Sequence, residues 1–237
     1  MALPVSHPTL RAHELPRRYG GARGKDTPVG RTYDTIDASI QAWLKKQPMF
    51  FVATAPNDPG GHVNVSPKGG AGVFRVLDER TIAYVDLVGS GAETVAHLQE
   101  NGRIVVMFCA FTGAPKIMRF HGTGRSIPED APEYADLLSG FTLDDEQRPL
   151  ARGIVVVDVS RISDSCGFGV PRMEMVAERD QLLRWSENKL EKDGPDWKAR
   201  YMAANNTASI DGLPGYDIER DLVETEVAAL SSDGRAL

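Results

Sequence analysis

The chain has 237 residues, of which 41% are hydrophobic and 25% are charged, as in ordinary globular proteins. This length is enough for one large domain or two small ones, with a buried core that needs no stabilising metal or disulfide. The net charge of −6 argues against a nucleic-acid or anionic-membrane binding surface, because such a surface needs a basic patch.

The cysteines and the N-terminus indicate the cellular compartment. Cys109 and Cys166 are far apart in the chain and no CxxC motif occurs, so we expect free thiols in a reducing cytosol and no structural zinc site. Residues 1–9 lack the basic and apolar regions of a secretory signal, and no run approaches the roughly 20 apolar residues of a membrane span. These features predict a cytoplasmic protein with no membrane partner.

The predicted elements begin after a segment rich in proline and glycine. Residues 1–31 show no periodicity and are interpreted as an extended arm. Apolar residues between Ile36 and Leu44 then recur at helical spacing. Asp34 is predicted to cap this helix, and Pro48 to end it.

Short apolar or alternating runs, separated by turn residues, predict the strands. These strands cover residues 49–55, 62–66, 72–77, 81–87, 104–111, 117–127 and 153–162. Further helices are predicted over residues 91–100, 132–139, 181–192 and 196–205. Ser90 and Glu93 have the spacing of a capping box at the start of the first of these helices.

Hairpin-linked strands with few helices between them favour a mainly β (α+β) fold, built as a small antiparallel barrel with flanking helices and a helical C-terminal region. A parallel dinucleotide-binding sheet is disfavoured, because the glycines at 122 and 124 are not followed by a third glycine at 127. We therefore predict an arm (residues 1–31), a barrel domain (32–178), and a helical extension (179–237) packed on the barrel or on a partner subunit.

Two segments have the composition of an anion site. Residues 89–94 follow a strand and open a helix, where free backbone N–H groups and the helix dipole attract anions. Residues 66–70 present Lys68 and two glycines in a turn at the end of a strand, where the lysine can neutralise a phosphate. A plain capped helix and an ordinary surface loop are the alternatives.

A third segment, residues 164–171, carries a thiol, an aromatic residue and two glycines just after the last strand. No histidine lies nearby in sequence to activate Cys166 as a nucleophile, so packing against a flat ligand is the favoured role. Arg119 and Arg125 lie on one face of a strand, where they reach either an anionic ligand or acidic partners.

The order of these segments resembles the pyridoxamine 5′-phosphate oxidase-like family with its FMN-binding split barrel. The segments begin with Asn64-Val65-Ser66-Pro67-Lys68-Gly69-Gly70 and end with the loop of residues 164–171 that contains Cys166. The resemblance runs from about Trp43 to Cys166. It implies that residues 32–178 form an FMN-binding split-barrel domain. It also implies a homodimer with cofactor sites at the subunit interface, acting on a small-molecule substrate by hydride or electron transfer.

The resemblance also implies the cofactor-binding residues. The segment from residue 65 to 69 would run beside the flavin, and residues 84–94 would hold its phosphate. The implied contacts are Val65, Ser66, Pro67, Lys68, Gly69, Asp86, Ser90, Gly91, Glu93 and Thr94, with Arg119 and Cys166 reaching the flavin from further away.

The chain departs from the oxidase where Ser90-Gly91-Ala92 stands in place of a Ser-Arg-Lys sequence, so a flavin oxidoreductase is predicted and true pyridoxamine phosphate oxidation is not. Catalytic residues are not assigned. The alternatives are a deazaflavin-binding or haem-binding split barrel, or a non-catalytic carrier of flavin or pyridoxal phosphate. Haem would need an axial ligand such as His62, His97 or His121.

Overall fold

The computed structural model describes residues 30–218. Its strands are β1 (Thr32–Tyr33), β2 (Met49–Thr54), β3 (Asn64–Gly69), β4 (Phe74–Val76), β5 (Thr81–Leu87), β6 (Arg103–Cys109), β7 (Ile117–Pro128) and β8 (Ala151–Ser165). Its α-helices are α1 (Ala38–Leu44), α2 (Glu93–Asn101), α3 (Tyr134–Ser139), α4 (Gln181–Asp193) and α5 (Trp197–Asn205). The predicted arm, apart from its last two residues, and the end of the predicted extension lie outside the described residues.

The strands form one antiparallel sheet in the order β3-β2-β6-β7-β8-β5-β4, with β1 paired to β8. Short connections join the paired strands β2 and β3, β4 and β5, and β6 and β7, as antiparallel pairing allows, whereas residues 129–150 separate β7 from β8. The sheet curls into a half-barrel whose two end strands, β3 and β4, are neighbours in sequence but are not paired with each other. The predicted antiparallel split barrel with flanking helices is confirmed.

The core lies inside the curled sheet, where alternate side chains of each strand point. Its centre is aromatic: the rings of Phe50 and Phe108 stack with centroids 5.2 Å apart, and Phe74 meets Phe108 edge-on at 4.9 Å. Strand β8 is buried over most of its length because it pairs with β5 at one end and with β7 along its whole span. This long strand therefore joins the two halves of the barrel.

Several predicted boundaries shift in the structure. Asp37, and not Asp34, caps α1, since its carboxylate accepts a hydrogen bond from the N–H of Ile40 at 2.8 Å. The predicted turn at 66–70 is largely strand, because β3 continues to Gly69 with Pro67 opposite Phe51. Proline is tolerated there because β3 is an edge strand and one side of it needs no N–H donor.

The predicted capping box at α2 does not form. The helix begins at Glu93 with Ala92 as its N-cap, and no side chain caps it. The chain between β5 and α2 is therefore a loop whose backbone N–H groups are not taken up by a Ser90 cap.

The C-terminal helices pack in a second hydrophobic cluster. Trp197 and Met202 of α5 are buried there with Val88 and Val95, which flank the start of α2. Trp185 of α4 meets Trp197 edge-on with ring centroids 5.3 Å apart. The division into an arm, a barrel and an extension stays a prediction. Across residues 30–218 the structure contains no helix of the length and hydrophobicity that crossing a bilayer requires.

Candidate functional site

A cavity of about 340 Å³ lies where the ends of β3 and β5 meet the start of α2. Strand β3 contributes Ser66 to Gly69, and the loop from Leu87 to Ala92 forms a second wall. Arg152 of β8 and Leu182 of α4 complete the lining. Two segments that are 20 residues apart in sequence, each predicted to attract an anion, therefore face one cavity.

The cavity contains a buried carboxylate held by two cations. Asp86, only 2% exposed, accepts from Lys68 Nζ at 2.6 Å and from Arg152 Nε at 3.0 Å. The hydroxyl of Tyr216 donates to the second oxygen of the same carboxylate at 3.0 Å. Because two positive charges surround one negative charge, this wall of the cavity keeps an excess of one positive charge.

Burial and charge set the protonation of this cluster. Burial alone would raise the pKa of Asp86, but attraction to Lys68 and Arg152 lowers that pKa well below its ordinary value. Burial opposes the charge of Arg152, yet the neighbouring carboxylate raises its pKa above the usual value. Burial, followed by the negative charge of Asp86, raises the pKa of Tyr216 well above 10, so its phenol stays a hydrogen-bond donor. The Asp86–Arg152 pair is thus charged across the physiological range.

The loop before α2 is tied down through its carbonyls. Arg152 donates to the carbonyl oxygen of Gly89 at 3.0 Å, and Asn206 Nδ2 donates to the same oxygen at 2.9 Å. Glu93 folds back over Gly91, and its carboxylate accepts from the N–H of Ile210 at 3.3 Å. The first turn of α2, whose N–H groups have no acceptor within the helix, therefore lines the cavity together with one carboxylate that a phosphate must avoid or displace.

Most of the predicted cofactor contacts come together here. The nine that line the cavity are Ser66, Pro67, Lys68, Gly69, Asp86, Ser90, Gly91, Glu93 and Thr94. Thr94 also accepts a hydrogen bond from Asn64 Nδ2 at 3.1 Å, which links α2 to β3. The role of these residues toward a cofactor stays a prediction.

Three predicted contacts lie elsewhere. Val65 is 60% exposed on the outer face of the edge strand. Arg119 lies on β7, where it donates to Ser165 Oγ at 3.0 Å. Cys166 is exposed just after β8 and, like the buried Cys109, is a free thiol as expected. None of the three lines the cavity described above.

Sequence reasoning missed Arg152, Asn206 and Tyr216. Arg152 is a single basic residue at the start of an apolar strand, and Asn206 and Tyr216 lie more than 110 residues from the loop they support. No motif marks any of them. The apolar surroundings of Arg152 were the one available signal, since a buried arginine requires a carboxylate partner.

The candidate haem ligands are dispersed. His97 is buried in α2 with its Nδ1 2.9 Å from Thr54 Oγ1, and burial lowers its pKa. His62 is exposed and pairs with Asp211 at 2.6 Å. His121 is half-buried on the outer face of β7. None of these three histidines lines the Lys68–Arg152 cavity.

A second cavity of about 600 Å³ adjoins the first, and Gly69 and Val73 line both. Three aromatic residues, Phe50, Phe74 and Phe108, line this second cavity together with polar and charged side chains, among them Lys45 and Arg75. Aromatic side chains beside a charged cavity suit a ligand with an anionic end and a flat organic body.

Comparison with known proteins gives two sequence matches. A sequence model of the family described as pyridoxamine 5′-phosphate oxidase matches residues 36–166. The chain is 36% identical over 197 residues to the pyridoxamine 5′-phosphate oxidase family protein ustO of Aspergillus flavus, covering 77% of this chain and 76% of that protein.

Solved structures give weaker matches. A pyridoxamine 5′-phosphate oxidase-related, FMN-binding protein of Nostoc punctiforme is 12% identical with a TM-score of 0.43, covering 54% of this chain and 83% of that one. An FMN-binding protein of Syntrophomonas wolfei is 17% identical with a TM-score of 0.37, covering 50% and 77%. These scores are too low to support an argument. The family match over more than half of the chain and the relative at 36% identity show that this chain belongs to the pyridoxamine 5′-phosphate oxidase family.

Proposed function

We propose that this chain is an FMN-dependent oxidoreductase that holds the phosphate of its cofactor in the cavity between β3, β5 and α2. The observation that carries the proposal is the pair of cations, Lys68 and Arg152, which outnumber their one shared carboxylate beside a loop with free N–H groups. The flavin ring supplies the hydride or electron transfer, and the protein supplies binding and orientation.

The residues fit a phosphate. Lys68 acts as a point charge on one wall, and Arg152 balances the carboxylate from behind. The hydroxyls of Ser90 and Thr94 line the same cavity and add donors to those of the backbone. The cavity has room for the phosphate end of a nucleotide, and the adjoining cavity offers the aromatic side chains of Phe50, Phe74 and Phe108 to a ring or a small organic substrate.

We further propose that the protein is a homodimer, as the family resemblance implies. On the face of the sheet opposite the core, Phe51 of β2 lies between Pro67 of β3 and Met107 of β6. Ala53 and Val105 form the next row. A row of apolar side chains across three strands is typical of a subunit contact. Phe51→Glu is expected to convert a dimer to a monomer in light scattering after size exclusion, whereas a wild-type monomer would contradict this proposal.

The absorption spectrum of the purified protein, before and after FMN is added, tests the cofactor. We expect flavin bands that co-elute with the protein, and weaker FMN binding when Ser90 and Thr94 are both changed to alanine. Lys46→Ala, an exposed lysine outside both cavities, is the control. A Soret band would identify haem instead, and a protein that leaves FMN unbound would favour a deazaflavin or a carrier role.

Turnover separates the enzyme from the carrier. We expect the bound flavin to be reduced by a nicotinamide donor and reoxidised by an acceptor in a stopped-flow absorbance experiment. Flavin that binds tightly but stays oxidised with every donor would favour a non-catalytic carrier.

A further inference from the structure

The segment from Asn206 to Tyr216 lies against the loop from Leu87 to Ala92 that lines the Lys68–Arg152 cavity. It begins 40 residues after the end of the region that the family model matches. Within the segment, Ala208 and Pro214 form an antiparallel bridge, and the N–H of Tyr216 donates to the carbonyl of Asn206 at 2.9 Å. Gln99 Nε2 of α2 donates to the carbonyl of Gly215 at 3.0 Å. The segment is therefore a closed loop, which we name the C-terminal clasp (residues 206–216).

The clasp packs closely on the start of α2. A Cβ atom at Gly215 would lie 2.8 Å from the Cβ of Ala92 and would clash with the carbonyl oxygen of Asn206. Only glycine allows this approach. Asn206 itself is fully buried. The Asn206 Nδ2 finds its hydrogen-bond acceptors in the loop from Leu87 to Ala92, while the buried Oδ1 has no partner among residues 30–218.

Asn206 binds the carbonyls of that loop. Its Nδ2 donates to Gly89 at 2.9 Å and to Gly91 at 3.4 Å. Arg152 donates to the same Gly89 oxygen at 3.0 Å from the other side. Both carbonyls are thereby held against the body of the protein.

Holding a carbonyl fixes the direction of the N–H group in the same peptide. The described residues contain no cis peptide, and in a trans peptide the C=O and the following N–H point in opposite directions. The carbonyls of Gly89 and Gly91 share peptides with the N–H groups of Ser90 and Ala92. Neither N–H has an acceptor among residues 30–218, and both residues line the cavity.

We infer that Asn206 is a positioning residue that turns the Ser90 and Ala92 N–H groups toward the anion cavity, so that the C-terminal clasp sets the affinity for the phosphate of the bound cofactor. The inference rests on the proposed function for the identity of the anion. The inference gives the clasp, which lies outside the region matched by the family model, a role in forming the cofactor site.

Binding of FMN and of riboflavin, which lacks the phosphate, tests the inference in the full-length protein. Asn206→Leu keeps the volume of the side chain and removes its donors. We expect FMN to bind about tenfold more weakly, the loss of one or two charge-assisted contacts, while riboflavin affinity changes less than twofold. Asn205→Ala is the matched control, because the neighbouring Asn205 is exposed and bonds only within α5, to the carbonyl of Tyr201.

A second variant covers a failure of Asn206→Leu to fold. Gln99→Leu removes the contact from α2 to the clasp without touching the cavity, and we expect a smaller loss of FMN affinity in the same direction. Equal losses for FMN and riboflavin in these variants would overturn the inference, since a general loss of structure would weaken both ligands.

Hydrogen exchange of the cofactor-free protein separates this inference from the proposed function. We expect Asn206→Leu to speed exchange across residues 88–95, and Asn205→Ala to leave that segment unchanged. If the wild-type protein binds FMN no better than riboflavin, the proposed phosphate site is refuted, but the role of the clasp in holding the loop is not. Unchanged exchange across residues 88–95 in Asn206→Leu would refute the clasp, whatever the wild-type protein binds.

Discussion

Two aspartates in this structure have similar partners and different surroundings. Asp86 accepts from Tyr216 and Lys68, and Asp164 accepts from Tyr33 at 2.5 Å with Lys116 at 3.9 Å. Each lysine also lies over an aromatic ring, Lys68 at 5.9 Å from Tyr84 and Lys116 at 5.6 Å from Tyr33. The two clusters therefore use the same chemical groups.

The difference lies in burial, charge and space. The side chain of Asp164 is 18% exposed and forms an ion pair with one described cation, whereas Asp86 is almost wholly buried and forms ion pairs with two. Asp86 adjoins a cavity, and Asp164 instead accepts from the backbone N–H of Arg31 and so ties the chain before β1 to β8. The partly exposed Asp164 ion pair can link two segments of the chain. The buried Asp86 cluster, in which two cations share one carboxylate beside a cavity, is suited to an anionic ligand.

The comparison is tested most strongly by removing each carboxylate. Asp86→Asn leaves Arg152 buried without a counter-ion, which is expected to cost about 3–5 kcal/mol of unfolding free energy. Asp164→Asn leaves Lys116 within reach of water, with an expected cost of about 1 kcal/mol. Urea unfolding of both variants measures the difference. Costs within 0.5 kcal/mol of each other, a margin of about the usual non-additivity, would show that burial does not distinguish the two sites.

The pH dependence of stability gives the next test. Burial opposes ionisation of both aspartates, but their cations and hydrogen bonds lower the pKa of each carboxyl, more strongly for Asp86. A lowered native pKa means that the unfolded chain binds more protons near pH 4, so this stability is present above the unfolded pKa and is lost as the pH falls. We expect the free energy of unfolding, measured with urea at a series of acid pH values, to depend less on pH in Asp86→Asn than in Asp164→Asn. The same pH dependence in the two variants would contradict this expectation.

The lysines separate ligand binding from stability. Lys68→Ala removes the one lysine that lines the cavity, and we expect FMN affinity to fall tenfold or more, or about 1.5–3 kcal/mol. Lys116→Ala removes the equivalent residue of the other cluster and is expected to leave FMN affinity within about twofold, because that cluster is outside both cavities. Fluorescence titration measures both. Equal FMN affinity in the two variants would place the phosphate elsewhere.

Much of the fold followed from local pattern. Short apolar or alternating runs bounded by turn residues predicted β2, β5 and β7 to within one or two residues, because run length and turn residues are local signals of a strand. The glycines and serine before α2 predicted an anion-binding loop, since the start of a helix leaves backbone N–H groups free, and that role stays a prediction. The boundaries of β3 and α2 were less predictable, because an edge strand tolerates Pro67 and the helix start depends on packing that no local motif reports.

The hydrogen bonds that hold the loop from Leu87 to Ala92 in place were not predictable from local sequence patterns. Arg152 and Asn206 reach the same carbonyl of Gly89 from elements 63 and 117 residues away. Contacts of such separation are created by the order of strands in the sheet and by the path of the C-terminal segment. A single sequence carries no periodic or motif signal for either.

The tyrosines give the smallest effect and the most closely matched pair. Tyr216→Phe and Tyr33→Phe each remove one hydroxyl donated to an aspartate, and each keeps the ring that lies against a cation. Water can replace the Tyr33 hydroxyl because its cluster is partly exposed, but it cannot reach the buried Asp86 as readily. We expect Tyr216→Phe to cost more unfolding free energy by about 1 kcal/mol, measured by urea unfolding at neutral pH. The reverse order would mean that burial does not control the energy of these hydrogen bonds.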